Sequence, residues 1–170
     1  MTKIIDPGGI PMEQKTLSRW LKAALIAVGL CGLAVCALIL PSCAQSVLDA
    51  YPEMKDRYWA WLIFLWITAL PCFAALIVGW RIALNIGRDR SFSNENARHL
   101  KRISQLAAGD TAFFFAGNVL LMLLNMSHPG VLLASLLISL VGVAVTVAAA
   151  ALSHLVLKAA LLQEQSDLTI

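Results

Sequence analysis

The chain has 170 residues, of which 59% are hydrophobic and 14% are charged, and its formal net charge is +3. Soluble domains carry about 25% charged residues, so this composition excludes an ordinary water-soluble domain and indicates a membrane protein. The long apolar runs take up most of the chain, which leaves no room for a separate soluble domain.

Four apolar runs are long enough to cross a bilayer, because a membrane-spanning helix needs about 20 residues. Backbone groups in lipid must be hydrogen-bonded within the protein, and these runs are too long for barrel strands. We therefore predict an all-α, four-helix transmembrane bundle (23–157), with an N-terminal arm and interfacial helix (1–22) before it and a tail (158–170) after it. The predicted spans are about 23–40, 59–86, 104–126 and 130–157.

The first span follows a basic segment and is predicted to end at Pro41, because proline interrupts a helix. A lipoprotein-type cleavage site is the alternative for this region, since residues 40–43 read Leu-Pro-Ser-Cys. The long segment before the apolar run and the 18 residues of the run itself argue against cleavage. The apolar core of a signal peptide usually has about 7–15 residues, so we interpret the run as a membrane span.

The distribution of positive charge predicts the orientation. Residues 81–103 carry six of the 13 Lys and Arg residues, and eleven of the 13 lie either there or near the termini. The other two, Lys55 and Arg57, follow the first span. Positive residues flank the cytoplasmic ends of spans, so we predict a multi-pass protein of the bacterial inner membrane with both termini in the cytoplasm.

A helix start is predicted after the second span. Ser93 can cap it, and Glu95 suits its first turn. The basic residues that then share one face, opposite an apolar face, are Arg98, Lys101 and Arg102. Two interpretations remain open: an interfacial helix against anionic lipid headgroups, or a docking surface for a cytoplasmic protein. Direct nucleic-acid binding is not expected, because no base-reading element accompanies these charges.

Polar residues inside the spans predict a second candidate site. Asp110, Asn118 and Asn125 fall in one arc of the third span, which directs them into the bundle. A charge at the centre of a span costs about 2.5–3.5 kcal/mol, so Asp110 needs a partner. Arg81 and His154 are predicted at a comparable depth and complete an intramembrane polar cluster. The cluster would either fix the helix register as a buried pair or act as a proton or ligand site.

Small residues form a stripe on the fourth span, which predicts close packing within the bundle or across a homo-oligomer. They are Ser135, Ser139, Gly142, Thr146 and Ser153. No cofactor or metal is expected, because the histidines are too far apart to bind one iron and no zinc-type spacing occurs. No phosphate-binding loop or catalytic triad is recognisable either. The four cysteines lack the two pairs near the outer face that a quinone-linked thiol oxidase needs.

Two short motifs resemble a bacterial family catalogued as domain of unknown function 2975. The first is Phe92-Ser-Asn-Glu-Asn96 with Leu100 and Ile103, and the second is the tail from Leu162 to Ile170. The resemblance implies a four-helix membrane protein of this size. Genes of the family often neighbour a very small helix-turn-helix regulator, which implies a cytoplasmic partner. The tail departs from the acidic run frequent in the family, and the resemblance supplies no catalytic residue.

We therefore predict a non-enzymatic inner-membrane protein that binds and modulates a small cytoplasmic helix-turn-helix regulator. The predicted partner-binding residues are Phe92, Ser93, Asn96, Arg98, Lys101, Arg102 and Asp167. A small transporter or channel-like oligomer that uses the polar arc of the third span is the alternative. A glutathione-dependent four-helix membrane enzyme fits badly, because no cluster of Arg and Glu lies within the spans.

Overall fold

The computed structural model is all-helical and describes residues 14–50, 52 and 55–167. The elements are α1 (Gln14–Ala34), a π-helical turn (Val35–Ile39), α2 (Leu40–Ala50), α3 (Lys55–Gly87), α4 (Asn94–Leu123) and α5 (Pro129–Asp167). The part of the predicted N-terminal arm before residue 14 and the end of the predicted tail, 168–170, lie outside the described residues.

Four helices in these ranges are long and apolar enough to cross a membrane: Gln14–Ser46, Arg57–Gly87, Asn94–Leu123 and Pro129–Ser166. The prediction of an all-α fold with four spanning helices is therefore confirmed. These helices have 30 to 38 residues, whereas a hydrocarbon layer of about 30 Å needs only about 20 residues. We call the end of the bundle where α3 ends and α4 begins the charged end, because residues 81–103 carry six of the Lys and Arg residues.

Consecutive spans pack side by side, α1 on α3, α3 on α4, and α4 on α5. On the α4–α5 pair, Ser104 contacts Thr146 and Ala97 contacts Ser153, so the two helices are antiparallel and keep one register. The contacts that set the α3–α4 register are Asn85 with Asn96 and Cys72 with Asp110. These pairs fix the relative depth of residues on neighbouring helices.

Glycine allows α4 to approach both of its neighbours closely. A Cβ atom at Gly117 would overlap the ring of Phe64 on α3, and one at Gly142 would overlap the side chain of Thr111 on α4. Ser139, in the same stripe as Gly142, is only 8% exposed. The stripe on the fourth span therefore packs within the bundle, as one of the two predictions for it stated.

Most large apolar side chains lie on the outside of the bundle, where a lipid environment would solvate them. Exposed examples from all four spans are Leu30, Leu38, Leu70, Leu123, Leu133 and Val141. The interior is thin, and most of its buried side chains are small or polar, which suits helices that associate through close packing more than through a large hydrophobic core.

The prediction that Pro41 ends the first helix is wrong, because the chain continues through the π-helical turn into α2. In this turn the Leu40 N–H donates to the Val35 carbonyl, one residue further back than in an α-helix. The same pattern would pair the Cys36 carbonyl with the nitrogen of Pro41, which has no hydrogen. Trp66 Nε1 on α3 donates to that carbonyl instead, at 3.1 Å. A neighbouring helix therefore satisfies the group that proline leaves open.

The prediction that Asn125 points into the bundle is wrong, because this residue ends α4. Its φ of 54° places it in the left-handed region, and the Met126 N–H donates to the Leu121 carbonyl at 2.9 Å. This is the Schellman arrangement, in which asparagine can replace glycine. Trp61 Nε1 donates to the Met126 carbonyl at 2.9 Å and ties this cap to α3.

Candidate functional site

The C-terminal cap of α3 lies at the charged end. The Arg90 N–H donates to the Asn85 carbonyl at 3.0 Å and the Asp89 N–H to the Ile86 carbonyl at 3.1 Å. Asp89 takes the left-handed conformation, with a φ of 60°. α3 itself extends to Gly87, one residue past the predicted end of the second span at 86. Asn85 is only 7% exposed, so its side-chain amide must find its partners inside the protein.

Asn96 supplies that partner and joins α3 to α4. Its Oδ1 accepts from Asn85 Nδ2 at 2.9 Å, and its Nδ2 donates to the carbonyls of Arg90 and Ser91, both at 3.0 Å. Its backbone N–H donates to Ser93 Oγ, which confirms the predicted cap. Because Asn96 is 1% exposed, it cannot contact a partner, and its predicted place on the partner surface is wrong.

Side chains from α1 and α5 bind the same junction, residues 83–97. The contacts are Ser91 Oγ to Gln14 Oε1 at 2.8 Å, Ser18 Oγ to the Ala83 carbonyl at 2.6 Å, and Ser153 Oγ to the Ala97 carbonyl at 2.7 Å. Every spanning helix thus reaches this junction through at least one hydrogen bond. The charged end is therefore a connected base rather than four separate helix termini.

The predicted basic surface lies next to this junction on α4. Its members, which we call the basic face, are Arg98, Lys101 and Arg102, and all three are exposed. Phe92, just before the helix, is 55% exposed. The interfacial helix predicted for this region is not a separate element, because α4 runs unbroken from Asn94 through the span. Asp167 is the last helical residue of α5, and its side chain lies outside the described part of the chain.

Exposed leucines lie on the neighbouring helix, α5. Val156 and Ala160 face inward, at 9% and 8% exposure, whereas Leu155 and Leu162 are 60% and 58% exposed. Seven residues separate the two leucines, so they share one face of the helix, with the exposed Lys158 between them. We call Leu155, Lys158 and Leu162 the leucine face.

The predicted cluster of Asp110 with Arg81 or His154 is not brought together. Asp110 accepts a hydrogen bond from Cys72 Sγ at 3.6 Å, whereas Arg81 and His154 are exposed. The α3–α4 and α4–α5 registers place both basic residues nearer the charged end, by about 10 and 14 residues of helix, which is about 15 and 21 Å at ~1.5 Å per residue. Asn118, also predicted in the cluster, is 1% exposed and donates to the Phe114 carbonyl of its own helix.

Asp110 lies instead in a groove on α4 between α3 and α5, with a volume of about 500 Å³. Its Oδ1 atom is buried and has no hydrogen-bond partner among the described residues. The groove is lined by Leu40, Leu65, Thr68, Ala69, Cys72, Asp110, Thr111, Phe114, Ile138, Ser139, Val141 and Gly142. No three His, Cys, Asp or Glu side chains in the described ranges are grouped so as to hold a metal ion.

Four apolar spanning helices with a lipid-suited exterior define the class, a multi-pass helical membrane protein. The family described as protein of unknown function (DUF2975) matches residues 42–170, and the chain belongs to this family. The chain is also 28% identical over 153 residues to "Uncharacterized membrane protein YoaS" of Bacillus subtilis (strain 168). That match covers 89% of this chain and 96% of YoaS. No solved structure matches the chain.

Sequence reasoning missed three residues that organise these sites: Asn85, Cys72 and Ser18. One signal was available, since a carboxamide near the end of an otherwise apolar run needs a partner inside the protein. Cysteine and serine carry no such signal, because either fits an apolar helix without a partner on another helix.

Proposed function

We propose that this chain is a non-enzymatic protein of the bacterial cytoplasmic membrane that holds a small helix-turn-helix regulator against its charged end. In this proposal both termini face the cytoplasm, and the partner surface consists of the basic face, Phe92 and the leucine face. The charge bias supports the orientation, since eleven of the 13 Lys and Arg residues lie in residues 81–103 or near the termini.

The observation that carries the proposal is the position of the leucine face. Counting about 20 residues of α5 from Val131, at ~1.5 Å per residue, the hydrocarbon layer ends near Ala150. Leu162 then lies about 18 Å beyond it, past a headgroup region of about 5–8 Å. An apolar side chain that is 58% exposed at this distance from lipid favours a protein partner.

The two faces suggest the chemistry of the partner surface. Leucines at helical spacing fit an apolar groove or the apolar face of a helix. The basic residues on α4 favour acidic side chains around that apolar centre, since complementary charge speeds association and fixes orientation. A helix-turn-helix module reads DNA through a basic surface, so the regulator would bind here through its opposite, acidic side.

Hydrogen bonds at the junction support a docking role in a second way. Because hydrogen bonds at the junction link all four spans, the exposed groups are presented on a preorganised base. A preorganised surface loses less conformational entropy on binding. Two weak contacts on one membrane-held surface also reinforce each other.

The test is co-purification of the full chain with the product of a neighbouring helix-turn-helix reading frame. Reversal of the basic face to Glu (Arg98, Lys101 and Arg102 together) should release the regulator at normal protein abundance, because these residues hold no other helix among the described residues. Leu162→Ser should weaken binding independently. The matched control, Lys55→Glu at the opposite end, should change nothing. Retention of the regulator by a correctly inserted triple variant would refute the docking role and leave the basic face as a lipid anchor.

The transporter alternative finds less support in the described residues. Of the predicted polar arc, Asn118 donates within its own helix and Asn125 forms the cap, so Asp110 alone faces open space. One carboxylate in a groove fits a binding site better than a path across the membrane.

A further inference from the structure

The groove on α4 offers one unpaired acceptor and few free donors. The hydroxyl groups of Thr68, Thr111 and Ser139 each donate to a carbonyl of their own helix, at 2.8, 2.7 and 2.7 Å. Asp110 Oδ1 is buried without a partner among the described residues. Asp110 is also the only charged residue in the lining, which is otherwise mostly apolar. A ligand that fits this groove must therefore donate a hydrogen bond and be largely apolar.

The depth of Asp110 makes the missing partner important. It lies 13 residues from Leu123, the last residue of α4, which is about 20 Å at ~1.5 Å per residue. Arg81 and His154, the two basic residues that the sequence predicts beside Asp110, lie nearer the charged end instead. An uncompensated carboxylate at this depth is costly, and a cationic donor beside it lowers that cost.

We propose that the groove binds a lipophilic amine, whose protonated nitrogen donates to Asp110 Oδ1 while its alkyl part lies on the apolar lining. The volume of about 500 Å³ is within the range of about 300–1,000 Å³ typical of small-molecule sites. Ile138 and Val141, on the α5 wall, are 57% and 65% exposed. The groove is therefore open sideways to the bilayer, and the amine enters from the lipid.

Cys72 provides a reporter beside the bound nitrogen. The full chain is reconstituted in bilayer discs of zwitterionic lipid, and alkylation of Cys72 by N-ethylmaleimide is followed by mass spectrometry of its peptide. The probe is N,N-dimethyloctylamine, a tertiary amine that does not consume the reagent. At about ten times its Kd, occupancy should slow Cys72 alkylation about tenfold. Cys31, an exposed cysteine on α1 outside the groove lining, should react at an unchanged rate.

Two further probes separate the contribution of the amine nitrogen to protection from that of the alkyl chain. The branched alkane in which a CH group replaces the nitrogen has the same shape and no donor, and octanoate has the opposite charge. Neither should protect Cys72. Equal protection by either one would overturn the proposal, because it would make the groove a site for acyl chains. Equal slowing of Cys31 would also overturn it, as a general effect of the probe on the bilayer.

Variants test the role of the carboxylate. Asp110→Asn should abolish protection by the amine, whereas Glu95→Gln, which removes an exposed carboxylate elsewhere on α4, should retain it. Ala69→Phe fills the groove from α3 while Asp110 stays, and it should also abolish protection. This second variant decides the matter where Asp110→Asn fails to insert. Full protection in either Asp110→Asn or Ala69→Phe contradicts the proposed site.

Discussion

Truncation of Asn96 to alanine should weaken the fold at the charged end without touching any exposed side chain. The substitution removes three side-chain hydrogen bonds, one from Asn85 Nδ2 and two to the carbonyls of Arg90 and Ser91. It leaves the cap of α4 in place, because Ser93 Oγ accepts from the backbone N–H of residue 96. Its effect therefore reports the joint between α3 and α4 rather than the start of α4.

The magnitude follows from the burial of each partner. Arg90 is exposed and Ser91 is partly exposed, so water can replace the amide at both carbonyls, and each of those bonds is worth about 0.5–1 kcal/mol net. Asn85 is 7% exposed, and an amide buried without an acceptor costs about 1–3 kcal/mol. We expect Asn96→Ala to lower the free energy of unfolding by about 2–5 kcal/mol.

The assay is unfolding of the purified chain in mixed micelles by titration with a denaturing detergent, followed by loss of helical signal. Asn94→Ala is the matched control, because Asn94 is exposed two residues earlier, and it should cost less than about 0.5 kcal/mol. Asn85→Ala and the double variant should show a coupling of about 1 kcal/mol. If Asn96→Ala were as stable as Asn94→Ala, the joint would not hold the helices together and the preorganised base would be refuted.

Three other results are expected. Trp66→Phe should lower the free energy of unfolding by about 1 kcal/mol through loss of the hydrogen bond to the Cys36 carbonyl. In a Pro41→Ala background the loss should be much smaller, because the backbone N–H at position 41 can then donate to that carbonyl. Equal effects in both backgrounds would contradict this account of the π-helical turn. Gly142→Val should cost about 1–3 kcal/mol by overpacking against α4, whereas Ala144→Val on an exposed position should be near neutral, as unfolding titrations of both will show. A reporter active only in the cytoplasm should work when fused after residue 170 and be silent within 47–53, and the reverse pattern would invert the proposed orientation.

Features that depend on local rules could be predicted from the sequence. Apolar length predicted four spanning helices, and the Ser-Asn-Glu-Asn segment predicted the Ser93 cap. The end of α3 at Gly87 lies one residue past the predicted end of the second span. In each case the deciding interactions lie within a few residues along the chain, or between one helix and the lipid.

Features that depend on a second helix could not be predicted. Depth was judged from the apolar boundary of each helix alone, which placed Arg81 and His154 beside Asp110; the interhelical register, known only from packing, separates them. Pro41 was expected to end a helix because the rule considers one chain segment, and the donor from Trp66 comes from another. Asn96 was assigned to the surface for the same reason, because its burial depends on Asn85.

The two proposed sites lie on the same helix, α4, and the loss of regulator binding can be measured separately from the loss of amine binding. Arg98 and Asp110 are 12 residues apart on one unbroken helix, about 18 Å at ~1.5 Å per residue. The polar groups that hold the bundle near them, Asn96 and Ser104, are buried and belong to neither binding surface. A variant that loses one binding function and keeps normal stability therefore identifies a working site. A variant that loses both functions together with stability instead identifies damage to the contact between α3 and α4. Reversal of the basic face should leave Cys72 protection by the amine intact, and Asp110→Asn should leave regulator binding proportional to protein level. If Asp110→Asn also released the regulator from a stable protein, occupancy of the groove would be coupled to docking through α4.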